Sequence, residues 1–147
     1  MIVQYVCGFM FSDSGIASPR ILLIKKSRPK WQYGCLNGIG GKVEPDETPL
    51  QAMNREFQEE AGISGLEWDH VSTLNGPDYQ VHFFSTWASA KIYNEAKTQT
   101  DEPLVKSNVA RLWQFETVPG LYIMIELALD DSGVVKPVIL TNEKSYG

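Results

Sequence analysis

An α/β sandwich with a mixed sheet is the fold class this sequence predicts, and three features predict it. Two strand-length apolar runs fall within the first 26 residues, an amphipathic helix pattern follows a glycine-rich stretch near residue 48, and further strand patterns lead to an apolar helix at residues 121–129. Helices inserted between sheet-forming stretches, without a regular strand-helix alternation, point to mixed strands and away from a doubly wound sheet.

Residues 2–11 form an apolar and aromatic run that reads as a strand, residues 12–19 as a turn-rich excursion, and residues 20–26 (RILLIKK) as a second strand pairing with the first. The loop over residues 27–34 carries Trp31 and Tyr33. Gly38, Gly40 and Gly41 then fall within six positions, a density that suits backbone placed tightly against a neighbouring strand or a ligand. A helix begins next: Thr48 is the N-cap, Pro49 the first helical residue, Gln51 closes a capping box, and Gly62 supplies the stop. Within it Leu50, Met53, Phe57 and Ala61 form the stripe expected to face the core.

Residues 67–74 and 79–90 read as two strands joined by the turn Asn75-Gly76-Pro77-Asp78, and residues 94–103 as a polar loop. Residues 109–115 suggest a short strand. Pro119-Gly120 breaks the chain before a terminal helix over 121–129, whose apolar residues suit packing on a sheet. Residues 134–140 fit an edge strand or an ordered tail, and residues 141–147 a frayed end.

The 147 residues suit one domain, taken as 1–147. Thirteen Lys and Arg against 18 Asp and Glu give a net charge of −5, so the expectation is that no nucleic-acid polymer is a partner. A small anionic ligand remains compatible if a metal reverses the local sign. Cys7 and Cys35 lack metal-site spacing and read as free thiols. No cleavable leader pattern and no apolar stretch of membrane-spanning length is evident, so the expectation is a cytoplasmic protein without a membrane partner.

The chemistry concentrates in residues 41–63, GKVEPDETPLQAMNREFQEEAGI. On the helix, Glu56 and Glu60 are four apart and Glu59 is three from Glu56, so the three span roughly a 100° face beside the core stripe. Carboxylates so crowded repel one another unless a cation joins them, and an all-oxygen set suits Mg²⁺ or Mn²⁺ better than zinc. Arg55 is placed to pair with Glu47 and fix the preceding loop to the helix. Amphipathicity alone fits equally a solvated, acid-rich helix face.

The complete spacing is more specific. Gly41, Glu47, Arg55-Glu56-Phe57, Glu59-Glu60 and Gly62-Ile63 resemble, position by position, the signature of the Nudix hydrolases. Only Phe57 departs, since the family usually has an aliphatic residue there; it stays apolar and on the core stripe. The resemblance implies a Nudix-type α/β/α sandwich with the catalytic helix after the glycine-rich loop, and a pyrophosphohydrolase requiring Mg²⁺, with Mn²⁺ as a substitute. Its substrate would be a small-molecule nucleotide, a nucleoside diphosphate linked to a further group. Glu56, Glu59, Glu60 and the Gly40 carbonyl would hold the metal, and Glu47 with Arg55 would be the supporting pair. Glu56 is the first choice of general base, Glu102 resembles the later-loop glutamate that takes this role or a metal contact in parts of the family, and Glu95 ranks below it. A homodimer, as many relatives form, is compatible.

The stretch Asn37-Gly38-Ile39-Gly40-Gly41-Lys42-Val43 resembles the approach to the box in members that hydrolyse oxidised purine nucleoside triphosphates, and Asp101-Glu102 occupies a place where those enzymes carry base-contacting acids. Asn37 and Asp101 are accordingly expected at the base, Lys42 at phosphate, and Trp31, Tyr33 or Trp113 stacked on the ring. A purine nucleoside triphosphate, with an oxidised base included in the class, leads as substrate, giving the monophosphate and pyrophosphate; ADP-ribose or a nucleotide sugar follows. A nucleotide-binding regulatory domain without turnover is the reading from another class.

Overall fold

The computed structural model describes residues 1–145. One mixed sheet of eight strands organises them: β1 (Val3–Ser12), β2 (Arg20–Lys25), β3 (Leu36–Asn37), β4 (Ile39–Lys42), β5 (Asp69–Asn75), β6 (Tyr79–Ala88), β7 (Leu104–Asn108) and β8 (Val138–Thr141). The path runs β3-β2-β1-β6-β5-β8, with β4 on β1 and β7 on β2. β1 is the spine. It pairs parallel with β6 from Val3↔Tyr79 to Ser12↔Ala88, while its other edge is divided between β4 at Tyr5 to Gly8 and β2 at Met10 to Ser12.

Alternation along the strands makes two cores. On one face Phe9, Phe11, Ile21 and Leu23 meet Leu121, Met124 and Ile125 of α3 (Leu121–Leu129). On the other, Val6, Met10, Leu22 and Ile24 meet Ala52, Met53, Phe57 and Ala61 of α1 (Pro49–Ala61), with Tyr93 of α2 (Ala90–Glu95). Helices thus cover both faces, giving the α/β/α sandwich with the mixed sheet. Burying a residue such as Phe57 contributes roughly 1.5–3 kcal/mol.

Helix α1 starts and stops for the reasons its sequence states. The Thr48 hydroxyl accepts from Gln51 N, the Gln51 side chain accepts from Thr48 N, and Gly62 closes the helix at φ 76°. Leu50 departs from the expected stripe and is exposed, because it lies in the solvated first turn; Ala52 takes the inward position.

Three other expectations change. Residues 109–114 form a 3₁₀ helix and no strand, because the Asn108 side chain caps the turn by accepting from Ala110 N and only Leu112 is buried. Helix α2 ends the β6 region and takes the first two residues of the expected 94–103 loop, with Ser89 as its N-cap. Residues 141–145 are anchored: Thr141 belongs to β8, Asn142 N donates to the Asn75 carbonyl, and the Ser145 hydroxyl bonds Asp78. The remainder of the expected frayed end, residues 146–147, lies outside the described residues.

Candidate active site

Strand β4 and helix α1 supply the site, and the glycines of β4 decide how closely they approach. Gly40 pairs with Cys7 and Gly41 with Val6. A Cβ on Gly40 would lie 1.8 Å from the Val6 carbonyl oxygen, so strand pairing itself demands glycine. A Cβ on Gly41 would lie 2.5 Å from Glu56 Oε1, so the missing side chain is the space the Glu56 carboxylate occupies.

Arg55 draws the acids together. Its Nε and Nη2 donate to the two oxygens of Glu47, each at 2.8 Å, and Nη2 also donates to the Lys42 carbonyl at 3.0 Å. Nη1 donates to Glu56 Oε1 at 2.9 Å and to Glu59 Oε2 at 3.4 Å. The bidentate pair ties the loop before α1 to the helix's second turn. Hydrogen bonding from Arg55 holds Glu47 down at about 2, and Glu47 in turn raises the Arg55 pKa. Glu56 moves the other way, raised by burial against the lowering pull of Arg55.

Glu60 lies apart from this guanidinium network. Its Oε2 is buried without a hydrogen-bond partner, and burial, then the Glu56 charge, push its pKa up to about 7. Lys26 and the Gly40 backbone pull it down, while Glu102 adds to the rise. A buried carboxylate oxygen without a partner costs free energy until a proton or a cation meets it. Oxygen donors from Glu56, Glu59 and Glu60 beside glycine backbone fit a hard divalent ion. Among the described residues, however, no three His, Cys, Asp or Glu side chains already stand at metal-holding spacing, since Glu56 and Glu59 are turned to Arg55.

Glu102 is neither solvated nor free. It is 3% exposed; Oε2 accepts from Ser27 N at 2.6 Å, Ser27 Oγ at 3.2 Å and Arg28 N at 3.3 Å, and Oε1 meets Lys26 Nζ at 3.0 Å. Burial alone would raise its pKa, but the Ser27 N–H and Lys26 outweigh it and the net direction is down. Its neighbour Asp101 is exposed and pairs with Arg28.

Asn37 is fixed at the edge of the same loop: Oδ1 accepts from Gly38 N at 2.8 Å and from the Cys7 thiol at 3.6 Å, and Nδ2 donates to Gln32 Oε1 at 3.1 Å. The site therefore brings together Glu47, Arg55, Glu56, Glu59, Glu60, Gly40 and the Lys42 backbone. The Lys42 residue is exposed, as are Trp31, Tyr33 and Trp113, the last at 77%. Sequence reasoning missed Lys26 and Gln32. Lys26 lies two residues beyond Ile24, which packs on the α1 face, so period-two alternation is the signal that could have drawn attention to it.

The sequence model of the NUDIX domain matches residues 3–121. The chain belongs to the Nudix family. Membership carries hydrolase chemistry on nucleotide diphosphate linkages. This Nudix chain is 41% identical over 111 residues to the CTP pyrophosphohydrolase of Escherichia coli (strain K12), covering 73% of this chain and 80% of that protein. Its fold is similar to the NUDIX domain of Shewanella oneidensis NrtR, solved with ADP ribose, at a TM-score of 0.74 and 17% identity over 87% of this chain and 86% of that one. It also matches Shewanella oneidensis NrtR complexed with a 27mer DNA, at a TM-score of 0.69 and 16% identity over 85% of this chain and 59% of that one.

The DNA complex corrects one expectation. The exclusion of a nucleic-acid polymer as partner does not hold, because this fold occurs in a protein that was crystallised on DNA. A net charge of −5 is a sum over the chain and does not measure the potential of one local surface. Among the described residues no helix is long and apolar enough to cross a membrane.

Proposed function

We propose that residues 1–147 form one Nudix domain that hydrolyses a nucleoside triphosphate to the monophosphate and pyrophosphate. The observation that supports this reading most is the buried, unpartnered Glu60 oxygen beside Glu56 and the glycine strand. Glu56, Glu59, Glu60 and the Gly40 backbone are the proposed metal holders, with Mg²⁺ or Mn²⁺ as the ion. When bound, such an ion supplies charge neutralisation to the diphosphate and acidifies a water.

The chain's own residues do the rest. Arg55 and Glu47 lock the loop to the helix, so the backbone that carries the acids is fixed before substrate arrives. Glu56, with one oxygen steadied by Arg55 and its proton affinity raised, is the proposed general base. Water oxygen bonds to phosphorus, the water proton passes to Glu56, and the bond to the leaving phosphate breaks with its electron pair staying on the departing oxygen. Asn37, Lys42, Asp101, Trp31 and Tyr33 remain the candidates for contacting the substrate.

The relative acting on CTP favours a triphosphate and turns the base from purine toward pyrimidine. ADP-ribose is the second reading, favoured by the similar NrtR domain that holds it. An oxidised purine has no such support. The test is a panel of CTP, dCTP, ATP, 8-oxo-dGTP and ADP-ribose with Mg²⁺ and with Mn²⁺, products resolved by ion-exchange chromatography. CMP with pyrophosphate from CTP is the expected result; AMP with ribose 5-phosphate as the dominant products would move the assignment to ADP-ribose. Nucleotide binding with no product from any substrate would overturn the hydrolase reading in favour of a regulatory domain.

A further inference from the structure

Glu102 lies in the polar stretch between α2 and β7, yet it is buried. Burial of a charged carboxylate is costly unless donors offset it, and every donor to this one comes from a single segment, Lys26 to Arg28. The successive N–H groups of Ser27 and Arg28 both donate to Oε2, a backbone concavity for an anion that Glu102 fills from within the chain. Oε2 also accepts from the Ser27 hydroxyl, and Oε1 accepts from Lys26. Three donors on one oxygen leave it no lone pair for a further proton.

Lys26 to Arg28 is the neck of the loop over residues 27–34. The returning end is tied to the same point, because Gly34 N donates to the Lys26 carbonyl at 2.8 Å and Lys26 N donates to the Cys35 carbonyl at 2.9 Å. Inside the loop Gln32 N donates to the Pro29 carbonyl at 2.9 Å, and the Gln32 side chain accepts from Asn37 Nδ2 at 3.1 Å. An unbroken run of bonds therefore links Glu102 to Asn37, and Trp31 and Tyr33 are exposed on the loop so fastened. A loop held in one arrangement beforehand spares a complex the ordering of its side chains.

We propose that Glu102 is a positioning residue: by closing the neck of the 27–34 loop it holds Trp31, Gln32 and Tyr33 ready for the nucleoside end of the substrate. It acts through Ser27 and Arg28 and takes no proton from the attacking water. The inference rests on the reading above in which Trp31 and Tyr33 contact substrate.

Steady-state hydrolysis of CTP with Mg²⁺ separates positioning from proton transfer. E102Q should raise KM about three- to thirtyfold, the range for one or two contacting side chains that must be ordered on binding, with kcat within about twofold of the parent. Loss of a general base would instead lower kcat by about 10²–10⁴-fold. E102D keeps the charge but shortens the reach; it should move KM the same way, and it stands in if thermal melting shows E102Q unfolded. In a W31A/Y33A background, E102Q should add nothing further to KM, a non-additivity that a merely structural role would not produce. If W31A/Y33A alone leaves KM at the parental value, the contact reading is wrong. If W31A/Y33A raises KM while the folded Glu102 variants leave it unchanged, or lower kcat a hundredfold, or add their full effect in that background, this inference alone is overturned.

Discussion

Replacing Gly41 by alanine tests whether the glycine strand exists to seat Glu56. The new Cβ would lie 2.5 Å from Oε1, 2.7 Å from Cδ and 3.0 Å from Oε2, against an ordinary contact beginning at 3.4 Å. To regain ordinary contact the carboxylate would retreat by 3.4 − 2.5 = 0.9 Å at its closest oxygen. A misplacement of about 1 Å in a catalytic group can cost roughly 10²-fold in rate. Retreat also strains the 2.9 Å bond from Arg55 Nη1 to Glu56, a charge-assisted contact whose loss costs about 1.5–3 kcal/mol. For a chain of this size that lowers Tm by roughly 3–12 °C. The assay is steady-state pyrophosphate release at 25 °C beside a calorimetric melt. A folded G41A protein with kcat reduced about a hundredfold is expected, whereas G40A, whose Cβ would strike the Val6 carbonyl at 1.8 Å, should lose strand pairing and the fold. A folded G41A protein turning over within about twofold of the parent would refute the reasoning.

Two further outcomes follow from the same contacts. Glu47 has its folded pKa lowered to about 2, below the unfolded value of about 4.3, so its pairing with Arg55 stabilises the fold above pH ~4.3 and is lost as pH falls toward 2. E47Q should melt below the parent at pH 7, with the gap closing on acidification; a gap that stays constant down to pH 3 would contradict the pairing. Phe57, 1% exposed and edge-on to Trp68 at 5.1 Å, should cost about 3–5 kcal/mol when changed to alanine, read from urea denaturation followed by tryptophan fluorescence. A loss under about 1 kcal/mol would mean that the larger aromatic found here in place of the family's aliphatic residue is not needed to fill the core.

Legibility in the sequence followed the range of the interactions. Helix α1 was readable at both ends because Thr48, Pro49, Gln51 and Gly62 act on neighbours within one turn. The Arg55–Glu47 pair was readable too, since its partners are eight residues apart on a loop and helix whose geometry is regular. Glu102 was not, because its burial depends on Lys26, Ser27 and Arg28, more than 70 positions away. Its polar neighbours in sequence give no sign of that burial. Residues 109–114 misled for a related reason: a short apolar run has no period of its own, and the Asn108 cap with burial of Leu112 chose a helical turn.

The divided edge of β1 also constrains how this protein can diversify. Backbone carrying the acid-facing glycines is hydrogen-bonded to the innermost strand over Tyr5 to Gly8, whereas Trp31 and Tyr33 ride on a short surface excursion between β2 and β3. Exchange of that excursion leaves the spine's own bonding untouched, so the proposed substrate-contacting aromatics can change there without altering the pairing of β4 with β1. Alterations along Tyr5 to Gly8 have no such latitude, because each shifts the strand whose glycines meet Glu56 and the Val6 carbonyl.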